Sequence, residues 1–273
     1  MRDLTVSLIQ TDLVWENSQA NLALMEDWIA RLDMRTDLIV LPEMFNTGFT
    51  MNAGDLAQPM NGPAVTWLKQ TAMQTDCHVI GSVMVVDDGR HYNRLICAGP
   101  DGNVLTYDKR HLFRMMGEDR VYTAGNSRLT VDIDGWRIRP FICYDLRFPI
   151  WTRNLDNAYD VAIFIANWPQ KRAHHWKSLL VARAIENQCY VIGVNRVGRD
   201  GNGLPFSGDS AVIDPTGDYL LQQSDAPGLH TLSLHHASLQ EYRTSFPAWK
   251  DADSFPQESI INCNDSGIQN SDS

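Results

Sequence analysis

Several stretches of the chain are apolar at every position rather than at every second one, among them Leu38-Ile39-Val40-Leu41 and Val161-Ala162-Ile163-Phe164-Ile165-Ala166. A strand with one wet face alternates polar and apolar side chains, so strands of this kind must be covered on both faces. Strands are expected at 4–10, 37–43, 160–166 and 190–195. Between them lie helical patterns. Leu22, Met25, Ile29 and Leu32 fall on one face of a helix over 17–33, capped by Asn17 or Ser18. A second helix is expected over 62–76 with Pro63 in its first turn, where a missing N–H costs nothing, and a third over 172–188.

The middle of the chain turns to hairpin chemistry. Runs at 77–86, 91–98 and 104–108 are separated by Asp87-Asp88-Gly89-Arg90 and Pro100-Asp101-Gly102-Asn103, and runs at 128–133 and 136–143 turn at Asp134-Gly135. A further strand pair flanks Asp214-Pro215-Thr216-Gly217. Crossovers and hairpins together, with strands apolar on both faces, predict an α/β protein in which two stacked sheets carry helices outside: a four-layer α-β-β-α sandwich. No linker divides the 273 residues, so one domain over 1–253 is expected. From Ser254 the composition turns polar, and a tail over 254–273 buries too little to offset its ordering entropy, which predicts mobility.

The net charge of −10 comes from 33 acidic and 23 basic residues scattered along the chain, which argues against nucleic acid as a partner because phosphate binding needs clustered Lys and Arg. No apolar run approaches the roughly 20 residues of a membrane helix, so no membrane partner is expected. The five cysteines are widely spaced with no CxxC pair, and Met1 to Gln10 is too short an apolar run for a signal peptide; both predict reduced thiols in a cytoplasmic protein.

Three polar residues stand where apolar strands end. Glu43 follows Leu38 to Pro42 and precedes the loop Met44-Phe45-Asn46-Thr47-Gly48-Phe49. Lys109 ends the run 104–108, and Cys143 ends the run 137–142. Strand ends are where α/β sheets present side chains to a crevice. Singly, a Glu or Lys is usually a solvated charge and a Cys a core filler. Together they supply thiol acyl transfer: the glutamate takes the thiol proton and later delivers it to leaving ammonia, while the lysine ammonium holds charge developing on the carbonyl oxygen. A thiol with pKa about 8.5 needs a base or a cation close by, and Glu43 and Lys109 are those two groups.

The segments Leu41-Pro42-Glu43-Met44-Phe45, Tyr107-Asp108-Lys109-Arg110-His111-Leu112-Phe113 and Cys143-Tyr144-Asp145-Leu146-Arg147-Phe148-Pro149 resemble the Glu, Lys and Cys motifs of the carbon-nitrogen hydrolase (nitrilase) superfamily. Gly117-Glu118, the stretch 183–188 and the stretch 208–217 resemble it too, so that the likeness runs over roughly residues 3 to 250. The resemblance implies Glu43 as general base, Lys109 as oxyanion stabiliser, Cys143 as nucleophile and Glu118 as a second acid that positions substrate or Lys109. It implies that the backbone N–H of Tyr144 completes the oxyanion site, that no metal or organic cofactor is used, and that the chain works as a homodimer on a small amide and water. Cys143 to Pro149 together with Asn167-Trp168-Pro169 is most similar to bacterial omega-amidases, which hydrolyse 2-oxoglutaramate and related omega-amides of 2-oxo dicarboxylic acids.

Such a substrate brings a carboxylate that needs a cation. Of Arg120, Arg147, Lys171 and Arg172, the choice falls on Arg172, which follows Asn167-Trp168-Pro169, while Arg147 reads as structural, buried beside Asp145 or another acid. Phe45, Phe49 and Trp168 are expected to wall the short acyl chain. The alternatives are an amidase for a longer acid such as deaminated glutathione, a nitrilase, and a catalytically silent binding protein on the same fold. A papain-like enzyme lacks a suitable histidine context. The adjacent pairs His174-His175 and His235-His236 lack the i, i+4 spacing of helical metal ligands.

Overall fold

The computed structural model describes residues 1–253; the polar tail from Ser254, including Cys263, lies outside the described residues. Thirteen strands form two sheets. The first sheet takes β1 (Leu4–Gln10), β2 (Leu38–Val40), β3 (His78–Asp87), β4 (Arg90–Ala98) and β5 (Val104–Asp108). The second takes β6 (Val131–Ile133), β7 (Trp136–Ile142), β8 (Val161–Ile165), β9 (Tyr190–Val194), β10 (Val197–Arg199), β11 (Pro205–Ile213) and β12 (Tyr219–Ser224), and β13 (Gly228–Leu234) returns to the first. The order is β13-β1-β2-β3-β4-β5 in one sheet and β10-β11-β9-β8-β7-β6 in the other, with β12 on β11. In each sheet three neighbouring strands run parallel, β1-β2-β3 and β7-β8-β9, and the hairpins are added beside them.

The doubly apolar strands are covered as their composition requires. Leu38 and Val40 belong to the cluster that runs from Leu4, Val6 and Leu8 into Ile138 and Ile163 of the second sheet. Their neighbours Ile39 and Leu41 pack with Met25, Val65 and Leu68 of the helices Ser18–Ile29 and Pro63–Thr75 outside the first sheet. On the far side the helix Ala173–Asn187 lays Trp176 and Leu180 into the core of the second sheet. The structure is thus the expected α-β-β-α sandwich. Asp88 and Gly89, and again Asp134 and Gly135, all have positive φ, the paired left-handed turn that matches strand twist in a two-residue hairpin.

The differences from expectation have local causes. The first helix is capped by Asn17, whose Oδ1 accepts from Ala20 N at 3.0 Å, but it stops at Ile29 because the amides of Arg31 and Leu32 bond three residues back and tighten the turn. The strand expected over 37–43 pairs only over Leu38–Val40, since Pro42 has no N–H to offer the ladder. β13 gave little apolar signal because it is a half-buried edge; Thr231 and Ser233 meet Ser7 and Thr5 hydroxyl to hydroxyl at 2.7 and 3.2 Å across the pairing with β1. Among the described residues no helix is long and apolar enough to cross a membrane.

The helix His236–Ser245 is fastened to the sheets by charge. Arg243, buried, donates to Asp160 Oδ1 at 2.7 Å, to Tyr159 O at 2.7 Å and to Gln188 O at 2.8 Å. Arg137 grips the same carboxylate through both oxygens, Nε on Oδ2 at 3.1 Å and Nη2 on Oδ1 at 2.9 Å. Burial pushes Asp160 up, but the bonds from Arg137 and Arg243 outweigh it and hold the carboxyl below its ordinary value. A carboxyl so depressed stabilises the fold above about pH 4 and ceases to as acid protonates it. Arg243→Met is therefore expected to cost about 3 to 5 kcal/mol near neutral pH, read as a lower urea midpoint in tryptophan fluorescence, and the gap from the parent should narrow below about pH 4. An unchanged midpoint would show that the helix is held by other contacts.

Candidate active site

The parallel strands of the two sheets deliver their exits to one place. Glu43 leaves β2 and Lys109 leaves β5 of the first sheet, while Cys143 leaves β7 and Asn167 follows β8 of the second. All four line one cleft, together with Phe49, Phe113, Tyr144 and Trp168.

Lys109, 1% exposed, is shared between two buried carboxylates. Its Nζ lies 2.8 Å from Glu43 Oε1 and 2.9 and 3.0 Å from the two oxygens of Glu118. Phe49 turns its ring to the same ammonium at 4.9 Å. Burial would push this ammonium down; Glu118 and then Glu43 outweigh it and hold the charge on. For Glu118, burial dominates and raises the carboxyl despite Lys109 and the N–H of Phe113. Glu43 is held on every side: Asn93 Nδ2 donates to Oε1 at 2.8 Å, Asn167 N to Oε2 at 2.8 Å, and Asn167 Nδ2 to its main-chain oxygen.

Cys143 is the first residue after β7 and has φ of 45°, in the left-handed region that a side chain with a Cβ rarely adopts. The turn is overdetermined by Asp145. This fully buried carboxylate accepts from Ile142 N across the turn at 3.1 Å, from Tyr107 Oη at 2.6 Å, and from His111 N and Nδ1 at 2.9 and 2.8 Å. Tyr107 and His111 flank Lys109, so one carboxylate fixes the cysteine turn against the lysine strand. Met44, after Glu43, has φ of 44° and is held by Ser82 Oγ. Strained backbone kept at this cost clusters at functional sites. Burial first, then Glu43, raise the Cys143 thiol well above its ordinary value; Lys109 opposes them and does not prevail. The arrangement therefore holds a thiol beside a base.

Of the residues singled out in the sequence, Glu43, Lys109, Cys143 and Glu118 meet here, and Tyr144, Trp168 and Arg172 line the cleft. Phe45 does not. It is fully buried, its ring tilted against Trp67 at 5.5 Å and covering Gly81, because the left-handed turn at Met44 sends it to the helix layer, and Phe49 takes its place on the wall. Arg147 is likewise not paired to Asp145, whose oxygens are taken by other donors. It lines the cleft, its guanidinium 4.7 Å over Trp168 and 3.0 Å from His175 Nδ1. Arg172 lies over Phe113 at 5.2 Å. Asn93 and the rim formed by Trp15, Phe113, Met115 and Phe206 went unread. For Asn93 the sequence carries only a weak signal, an asparagine within a run expected to be a strand, where that residue type is uncommon.

The carbon-nitrogen hydrolase family model matches residues 5–244. The chain is 48% identical over 259 residues to omega-amidase YafV of Escherichia coli strain K12, covering 93% of this chain and 99% of that protein. It is 36% identical to the 2-oxoglutaramate amidase of Bacillus subtilis, covering 90% and 96%. Among solved structures it resembles XC1258 of Xanthomonas campestris, a CN-hydrolase superfamily protein with an arsenic adduct in its active site, with 43% identity, a TM-score of 0.92 and coverage of 94% and 99%. With its two stacked sheets and a Glu, a Lys and a Cys converging from their strand ends, the chain belongs to the carbon-nitrogen hydrolase family.

Proposed function

We propose that this protein is an omega-amidase that releases ammonia from the terminal amide of a small 2-oxo dicarboxylic acid monoamide such as 2-oxoglutaramate. The observation that carries the reading is the buried contact of Lys109 with Glu43 and Glu118 beside Cys143, in a chain 48% identical to an omega-amidase along nearly its whole length.

The cycle follows from which group holds the proton. Cys143 rests as a thiol, so its sulfur attacks the amide carbon as the proton passes to Glu43. Lys109 Nζ and the N–H of Tyr144 stabilise the oxyanion. Glu43 returns the proton to nitrogen, ammonia leaves and a thioester remains. Glu43 then takes a proton from water, hydroxide attacks the thioester carbon, and the departing sulfur recovers the proton from Glu43. Glu118 keeps Lys109 charged and in place. Arg172, with Arg147 across Trp168, faces the cleft without a carboxylate partner among the described residues, which supports binding of the substrate carboxylate there, with Phe49, Tyr144 and Trp168 as walls.

Residues 1–253 are the catalytic unit in this reading. Dispersed cysteines support a reducing, cytoplasmic setting, and assembly as a homodimer rests on the family resemblance; sedimentation of the purified chain tests it.

Cys143→Ala is expected to abolish ammonia release from 2-oxoglutaramate while the unfolding midpoint stays near the parent's; full activity would remove the cysteine from the chemistry. Lys109→Met should retain the fold and lose about 10² to 10³ in kcat, and a rate within a few-fold of the parent would discharge Lys109 from the mechanism. Arg172→Met should raise KM for 2-oxoglutaramate about tenfold or more with a smaller change in kcat. A panel including nitriles and the amide of a longer acid decides the substrate class, since preference for either over 2-oxoglutaramate would overturn the reading.

A further inference from the structure

The two carboxylates of the site share one cation. Lys109 can balance one of them, and a second buried negative charge must be carried by neutral donors, because desolvation otherwise drives a carboxyl to keep its proton. Glu43 cannot act as a base in that protonated form. Asn167 N supports Glu43, and Phe113 N supports Glu118, each from one side. Asn93 reaches both.

Asn93 is fully buried in β4, where its carbonyl receives the N–H of Lys109 at 3.0 Å. Its Nδ2 donates to Glu43 Oε1 at 2.8 Å and stands 3.4 Å from Glu118 Oε1. These are the same two oxygens that Lys109 Nζ contacts, so one amide nitrogen with two hydrogens lies beside the ammonium on a shared pair of acceptors. The other end of the side chain is less well served: Asn93 Oδ1 is buried without a hydrogen-bond partner among the described residues. An unpaired buried acceptor is destabilising, so the amide is held here for its donors. An apolar side chain would fit β4 without that penalty. An acid would add a third carboxylate to the two already present.

We infer that Asn93 is a positioning residue of the amidase reaction, which keeps Glu43 ionised as the base by hydrogen-bonding both carboxylates that share Lys109. It does not line the cleft and acts through Glu43. The inference rests on the amidase reading of the site, but its signature does not depend on which amide is the substrate. Removing a donor to an ionised carboxylate raises that carboxyl's pKa. Reaction at Cys143 requires Glu43 without its proton, so the acid limb of the rate profile must move to higher pH, with activity lost first on the acid side.

The test compares the parent with Asn93→Leu and Asn93→Asp. For each, kcat/KM for ammonia release and the rate of iodoacetamide alkylation at Cys143 are followed from about pH 4 to 9, with unfolding midpoints measured alongside. For Asn93→Leu we expect the acid limb of both rates to rise by about one pH unit and kcat at the plateau to fall about tenfold or more. Asn93→Asp supplies a donor only while the new carboxyl is protonated, so its residual activity should peak at lower pH than the parent's and fall as pH rises. Unmoved acid limbs in folded Asn93→Leu would overturn the inference, whatever its stability. Should that variant not fold, an Asn93→Asp profile parallel to the parent's would overturn it equally. Failure of the parent to hydrolyse 2-oxoglutaramate would count against the proposed substrate, whereas the alkylation profiles would still decide the role of Asn93.

Discussion

Everything around the cleft serves one costly arrangement, an ammonium held out of water between two carboxylates. Charges buried this way lose hydration worth several kcal/mol each, and attraction returns it only when geometry is tight and every remaining lone pair is met. Lys109 lies within 3.0 Å of three carboxylate oxygens, which Asn93 and Phe113 also meet, and Asn167 meets the fourth oxygen of the pair. Those groups come from β4, β5, the segment after β8 and the turn before Glu118, so the cluster forms only when both sheets are stacked in register. Fold and site are the same requirement. The apolar residues that cement the sheets, from Leu38 and Val40 across to Ile138 and Ile163, set the distance at which the charges meet.

Two strained turns finish the geometry. Cys143 and Met44 both leave strands in left-handed conformations at about 45°, an arrangement disfavoured for residues with a Cβ. Each is held by a polar group from elsewhere: Asp145 ties the cysteine turn to Tyr107 and His111 on either side of Lys109, and Ser82 of β3 ties Met44. Because Asp145 spends its oxygens on this bridge, it has none for Arg147, which is left to the cleft. The same turn at Met44 carries Phe45 away to Trp67 and brings Phe49 to the lysine.

This explains what was legible in the sequence and what was not. The sandwich could be read because doubly apolar strands admit few solutions, and the positions of Glu43, Lys109 and Cys143 because each follows directly on such a strand. Phe45 and Arg147 were misplaced because their directions depend on positive-φ turns and on bonds to residues tens of positions away, which no local pattern records. Asn93 stands between Tyr92 and Arg94 in a run of mixed polarity, and the contacts that single it out are with Glu43 and Glu118, 50 and 25 residues distant in sequence. β13 was weak in sequence because an edge strand with hydroxyls on one face resembles a loop until its partner is known.

The charge layout also accounts for the state of the nucleophile. Burial first, and then the carboxyl groups of Glu43 and Glu118 against the Lys109 ammonium, disfavour a thiolate and hold the Cys143 thiol well above its ordinary value. The rest of the lining is cationic on balance: Arg147, Lys171 and Arg172 stand there against one further carboxylate, Asp200. In the amidase reading proposed above, an acid amide would place its carboxylate at these cations and its neutral amide beside Glu43, Lys109 and Cys143. Hydrolysis turns the neutral end into a second carboxylate and places it against Glu43 and Glu118. In that reading the new charge meets two carboxylates and one ammonium, a repulsion at the floor of the cleft that the neutral amide did not experience.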